Sequence, residues 1–333
     1  MEPITLTKNS CAYGSKLIKI FKFRTGKEVP LYEVEKMSAF NQLVGHAKFV
    51  NSKYGNVYYR GVNGLFDNVL PSIMRRNKYG DARGINDFLV KICNDDYFHE
   101  SLKLRDVPSK EGKDAYYLSN EINRKNKYCV EGLLQHYAGN TRFLDVVDNH
   151  WVALWMGLHS FVMAGKGSKY CKCEKREMLI GDIYQAKDIK GCPIVYSRTS
   201  IDDIYEYILL LAMPYAVSNP QCGIIETDEF VEVDLRKVLP SFYLRPHAQH
   251  ALVVRRRDIH PAIQKPSVSY YDMASQVIAI LRVRIDRSAL WLGNGNLLTA
   301  SNLFPSPSVD QGYNNLLMHT DLFNYPFEII KYY

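Results

Sequence analysis

Between Val34 and Val50 the apolar positions recur at the three- and four-residue spacing of one helix face, which predicts a helix. The next segment, NVYYRG at 56–61, crowds aromatic and β-branched residues into a short run that stops at Gly61, and reads as a strand. Side chains alternate across a strand, so Tyr58 and Arg60 share one face and Val57 and Tyr59 the other. Residues 78–128 are polar, with helical spacing in INDFLVKIC, and predict helices joined by long connections. The most apolar segment, 150–164, is apolar all round and predicts a central buried helix with Asn149 as its N-cap and Trp151 and Trp155 in the core. GKGSKYCKCEKRE, 165–177, is the expected exposed loop, and GNGN, 293–296, a turn. The texture then changes to strands: EMLIGDIYQA, CPIVYS, CGIIE, FVEVDL, ALVVRR and QVIAILRVRI. One helix is expected among them, opening at a Ser200-x-x-Asp203 capping box and running through YILLLAM to Pro214.

Helices early and strands late predict an α+β fold of antiparallel sheets with helices packed around them. No stretch rich in Pro, Gly or Ser divides the chain. Residues 1–47 are expected as a helical and strand extension packed on one globular unit, 48–333.

The 333 residues suffice for a sizeable core, and 47% hydrophobic with 23% charged residues is the balance of an ordinary folded domain. The formal charge of +7 is spread along the chain, and its densest cluster, Arg255-Arg256-Arg257, reads as solvated or ligand-facing rather than as a nucleic-acid stripe. Seven cysteines without framework spacing, and no export signal, predict reduced thiols and a cytoplasmic location. Trp151 to Ala164 is shorter than the roughly 18 residues a membrane helix needs, so no membrane partner is expected.

The chain has no phosphate-binding P-loop, no G-x-G-x-x-G turn, no H-E-x-x-H helix and no G-x-S-x-G elbow, which argues against the common kinase, dehydrogenase, metalloprotease and hydrolase routes. Cys171, Cys173 and Cys192 lack a metal-site spacing, and FHE at 98–100 lacks a second histidine, so no metal is expected.

One short run does concentrate chemistry. LLQHYAGNTRFLD, 133–145, places Gln135, His136, Tyr137, Thr141, Arg142 and Asp145 just before the apolar helix. Thr141 and Asp145 suit bonds to turn backbone, Arg142 offers a planar fork for phosphate or carboxylate, and the helix N-terminus behind them favours an anion.

YYRG at 58–61, LPSIMRR at 70–76, LLQHYAGNTRFLDVV, WVALWMGL, RPHAQHALVV at 245–254 and LFPSPSVDQGYNNLL at 303–317 stand in an order that resembles the FRG domain, the family named for its Phe/Tyr-Arg-Gly motif, over about 48–320. The family's Q-H-Y-G-x-P-T-R-L-L-D-W becomes a run with Ala138, Asn140, Phe143 and Val146, and a usual Gly is Ala251. Arg60, Gln135, His136, Tyr137, Thr141, Arg142, Asp145 and Gln249 stand in place. The YRG motif also looks like the first motif of arginine-type ADP-ribosyltransferases, which implies an ADP-ribosyltransferase-like fold with NAD as substrate. By that resemblance Arg60 holds the diphosphate, with Gly61 behind it allowing close ligand approach. His136 or Tyr137 flanks the nicotinamide ribose, and Gln249 takes the place of a catalytic Glu. Because Gln249 carries no charge, the carboxylate that stabilises a developing oxocarbenium falls to Asp145, Glu226, Asp228 or Glu229. The resemblance implies transfer of ADP-ribose, with a protein as one target, or hydrolysis of the nicotinamide bond, in bacterial or phage conflict; a non-catalytic nucleotide-sensing or protein-interaction module stays open beside it. A nuclease would instead gather Asp145, Asp148, Glu226 and Asp228 around a metal. Convergence of Arg60, His136, Arg142 and Gln249 on one cleft with a carboxylate is the arrangement an enzyme requires. A structural module would leave Arg142 paired with Asp145 and Arg60 elsewhere.

Overall fold

The computed structural model describes residues 2–76, 124–137, 141–163, 170–176, 204–215, 223–257, 268–318 and 329–332. Helices predicted between 78 and 123, the strands EMLIGDIYQA and CPIVYS, the Ser200 cap, Cys192, FHE at 98–100 and the departures at Ala138 and Asn140 lie outside these residues.

The described strands are β1 (Ser15–Lys22), β2 (Glu28–Val34), β3 (Gly55–Val62), β4 (Leu144–Val147), β5 (His159–Met163), β6 (Tyr170–Lys175), β7 (Tyr205–Pro214), β8 (Ile224–Glu226), β9 (Phe230–Asp234), β10 (Ala251–Arg256), β11 (Val277–Arg284) and β12 (Ile329–Tyr332). The helices are α1 (Met37–Asn51), α2 (Ser72–Arg76), α3 (Arg124–Tyr137), α4 (His150–Leu158), α5 (Leu235–Val238), α6 (Leu244–Ala248), α7 (Ile285–Trp291), α8 (Ala300–Leu303) and α9 (Gln311–Met318). Nine strands form one mixed sheet in the order β1-β2-β11-β7-β3-β4-β10-β9-β8, and β12-β6-β5 form a second. In the large sheet only β2 and β11 run parallel. The first 47 residues supply β1, β2 and most of α1, so they are part of this sheet rather than an addition to it.

Alternation along the strands sorts their side chains onto two faces, as period-two geometry requires. Val57, Tyr59, Ile208, Leu210, Ala279 and Leu281 pack with Phe40, Leu43 and Trp155 of the helices. Tyr58, Leu209, Leu211 and Ile280 point the other way, into a core that includes Met273. A third cluster joins α3 through Leu133 and Leu134 to Val231, Val233 and Val253.

Two expectations are corrected. Residues 205–214 form β7, not a helix: the strand lies between β11 and β3 with every residue buried except Pro214. A continuous apolar run looks alike in a doubly covered strand and a buried helix, and sheet position decided it. The helix expected over 150–164 ends at Leu158, where His159 turns extended and begins β5, which pairs with β6 inside the expected loop. Its start is as read, with Asn149 Oδ1 accepting from the Trp151 N–H at 3.0 Å. Trp155 is core, donating from its indole to the Leu298 carbonyl. None of the helices among the described residues is long and apolar enough to cross a membrane.

Helix α4 lies directly on β3. A Cβ on Gly61 would come 1.8 Å from the Ala153 carbonyl oxygen, so the glycine of YRG is needed for close approach of a helix. One turn later Gly157 abuts Glu206 of β7, whose carboxylate is fully buried. Burial pushes Glu206 well above the usual carboxyl range; Ser288 and Arg176 oppose it only in part, and neither oxygen has a well-aligned hydrogen-bond partner among the described residues.

The unfolded carboxyl ionises near its ordinary value while the folded one holds its proton, so stability from this group is full at low pH and is lost as pH rises through and beyond the ordinary carboxyl range. Glu206→Gln is therefore expected to melt several degrees above the parent at pH 8, a gain that shrinks towards pH 4.5; differential scanning calorimetry across that range checks it, and a gain independent of pH contradicts it.

Candidate functional site

Strands β3 and β4 share a single pair, Tyr59 with Val147. Past that pair no backbone ladder links them, and Arg60 Nη1 instead donates to the Asp145 carbonyl at 2.6 Å. A cavity of about 480 Å³ opens there, bounded by β3, β4, the end of α3, α4 and α6. Arg60, Gly61, Gln135, His136, Tyr137, Asp145 and Gln249 all line it, together with Arg75, His159, Arg245 and Phe304. Asp145 is the one acidic side chain among its described lining residues.

The last turn of α3 and the second residue of β4 are locked to each other by side chains. Thr141 Oγ1 donates to Gln135 Oε1 at 2.7 Å and accepts from the Phe143 N–H. Gln135 Nε2 donates to Asp145 Oδ2 at 2.6 Å. This relay leaves Asp145 Oδ1 facing His136 Nδ1 at 3.8 Å, beyond hydrogen-bonding distance. Asp145 Oδ1 and His136 Nε2 have no hydrogen-bond partner among the described residues. Burial lowers the His136 pKa and Asp145 opposes it, so the imidazole is neutral at pH 7 and can accept a proton. Burial also depresses the Arg60 pKa, against the attraction of Asp145.

Other predicted residues take supporting positions. Gln249 caps α6, and its Nε2 donates to the Leu303 carbonyl at 2.7 Å, tying the LFP segment to the cavity wall. Tyr137 is buried and donates to Asp310 Oδ2 at 2.7 Å; burial raises its pKa well above the ordinary tyrosine value. Arg142 does not line the cavity. It is buried, with Nε 2.8 Å from Glu131 Oε1 and Nη2 on Oε2, and its backbone N–H bonds the same carboxylate. The fork expected for a ligand thus holds Glu131, and the expected alternative of an Arg142–Asp145 pair is not formed either.

Of the arginine triplet only Arg255 is fully buried. Arg255 is buried against Tyr128 and Phe143, Arg256 pairs with Glu229 and Arg257 with Glu226. Of the four carboxylates considered for the reaction, Glu226, Asp228 and Glu229 are therefore grouped around these arginines, and Asp145 alone lines the cavity. Among the described residues no group of three or more His, Cys, Asp or Glu is placed to hold a metal ion.

A second cavity, about 650 Å³, is lined by Tyr58, Glu232, Asp234, Arg236 and Asp148. Tyr58 donates to Glu232, which burial pushes up to about 7. Arg236 pairs with both Asp148 and Asp234, so much of the charge there is spent within the protein. The cavity between β3 and β4 is the candidate site because His136, Asp145 and Arg245, which line it, carry buried polar atoms without described partners.

Sequence reasoning did not single out Arg245, Arg75, His159 or Phe304, although Arg245, Arg75 and Phe304 lie inside the quoted segments RPHAQHALVV, LPSIMRR and LFPSPSVDQGYNNLL. Comparison of the chain with protein-family models, curated proteins and solved structures returns no match.

Arg142→Ala is expected to cost about 3–5 kcal/mol of stability, because it strands the Glu131 carboxylate in the core. Urea denaturation reads this out. An Arg142→Ala protein that keeps its midpoint but loses ligand binding would return Arg142 to the site.

Proposed function

We propose that this is an FRG-type protein with an ADP-ribosyltransferase-like site, which binds NAD or a related nucleotide in the cavity between β3 and β4 and cleaves its nicotinamide bond, by transfer of ADP-ribose or by hydrolysis. The observation that carries this reading is the convergence of Arg60, His136 and Gln249, drawn from segments far apart in the chain, on one cavity whose described lining holds a single carboxylate, Asp145.

In this reading Arg60, with Arg75 beside it, holds the diphosphate by charge and by the fork geometry of its guanidinium. Asp145 supplies the negative charge that Gln249 lacks, its Oδ2 fixed by Gln135. As the bond from the ribose carbon to the ring nitrogen breaks, its electron pair goes to nitrogen and neutralises the ring's positive charge. Oxygen of water or of an acceptor hydroxyl forms the new bond to carbon, and its proton passes to neutral His136. Gln249 serves as a positioning residue through its bond to Leu303.

The test is incubation of the purified protein with NAD, following nicotinamide release. Release is expected from the parent, with at least a hundredfold loss in Arg60→Ala, His136→Ala and Asp145→Asn, each confirmed folded by its circular dichroism melt. No release, but heat stabilisation by NAD that Arg60→Ala abolishes, would replace catalysis with nucleotide sensing. Neither release nor stabilisation with NAD or a related nucleotide would refute the nucleotide reading.

A further inference from the structure

We infer that the inner end of the cavity is a carboxylate-recognition site anchored by Arg245, and that the group it takes is a carboxylate carried on a flat ring. The inference deepens the preceding one by naming the ring substituent, and it rests on the cavity being a ligand site without depending on a dinucleotide filling it.

Arg245 is 2% exposed and lines the cavity. Its guanidinium carbon lies 4.4 Å from the ring centres of both Tyr137 and Tyr313, with Phe304 at 5.5 Å, so aromatic faces hold the plane of the group. Nη1 donates to the His136 carbonyl at 3.2 Å. Nε and Nη2, which form the other edge of the fork, have no hydrogen-bond partner among the described residues.

No described carboxylate pairs with this cation. Asp310 belongs to the same cluster, but its Oδ2 accepts from the Tyr137 hydroxyl and the Arg245 backbone N–H, and its Oδ1 from the Tyr313 N–H. A buried charge with two idle donors on one edge is costly unless something else satisfies it. Two parallel N–H groups on one edge match the two oxygens of a carboxylate, whereas a carboxamide offers one acceptor and sets an N–H against an N–H. Phe304, 5.5 Å from the guanidinium carbon, supplies apolar wall for a flat ring, and Met156 and Tyr59 line the same cavity. Among nucleotides related to NAD, this geometry selects the deamidated dinucleotide, whose ring bears a carboxylate.

Isothermal titration of the full chain with nicotinate and with nicotinamide separates the alternatives, because these fragments need no phosphate contact. Nicotinate is expected to bind at least tenfold more tightly, as a charge-assisted bidentate pair does over a neutral one, and Arg245→Gln is expected to erase the difference. Equal affinities, tighter nicotinamide, or no nicotinate binding at millimolar concentration overturns the inference from the parent protein alone, whatever the folding of the variant. Nicotinate preference without binding of either dinucleotide would leave Arg245 as assigned and remove the nucleotide reading.

Discussion

The fold hinges on how weakly its two blocks of strands are joined. From β1 to β3 on one side and from β4 to β8 on the other, neighbours are held by multi-residue ladders, but β3 and β4 meet at one pair. Where further backbone bonds would run, the side chain of Arg60 crosses to the Asp145 carbonyl. One guanidinium therefore both ties the seam and lines the opening that the seam creates. Helix α4, pressed onto β3 at Gly61, also touches β4 beside this seam. Seam and site are the same feature, so residues at the seam are under structural and chemical demand together.

The polar run between Gln135 and Asp145 meets that double demand by dividing into two layers. Thr141 and Arg142 turn inward: the first braces Gln135, and the second neutralises Glu131, whose carboxyl is lowered by Arg142 and Arg255 against a large burial penalty. Gln135, His136 and Asp145 turn towards the cavity. A buried ion pair adds little net stability, but it fixes geometry. Here it fixes the angle at which α3 delivers His136 to β4.

Much of this was readable from residue pattern alone. The strand ALVVRR coincides with β10 residue for residue, Asn149 caps α4 as its side-chain chemistry demands, and the alternation of Val57, Tyr58 and Tyr59 across β3 follows from strand geometry. Of the nine residues singled out for the site, seven line one cavity. The failures are those of non-local information. Nothing within YEYILLLAMP tells a doubly buried strand from a helix, because that is decided by β3 and β11, which lie far away in the chain. The partner of Arg142 sits eleven residues back on α3, and no local rule prefers Glu131 to Asp145. Arg255 looked exposed because three consecutive arginines usually are; alternation along β10 buried one of them.

The inner wall adds a last constraint. Its parts arrive late in the chain: Gln249 reaches Leu303, and Asp310 gathers Tyr137 across 173 residues and Arg245 across 65. The cavity is complete only when the segment from Leu303 to Tyr313 docks on α3 and α6. Such docking closes long loops and is entropically expensive, so it depends on the few polar bonds and aromatic contacts made there. A ligand that satisfies the idle edge of Arg245 would strengthen the same cluster, because it removes the cost of the buried cation around which Tyr137, Tyr313 and Phe304 pack. Under the proposed reading, ligand binding would be coupled to closure of this wall through the Arg245 guanidinium, and to the seam through Arg60.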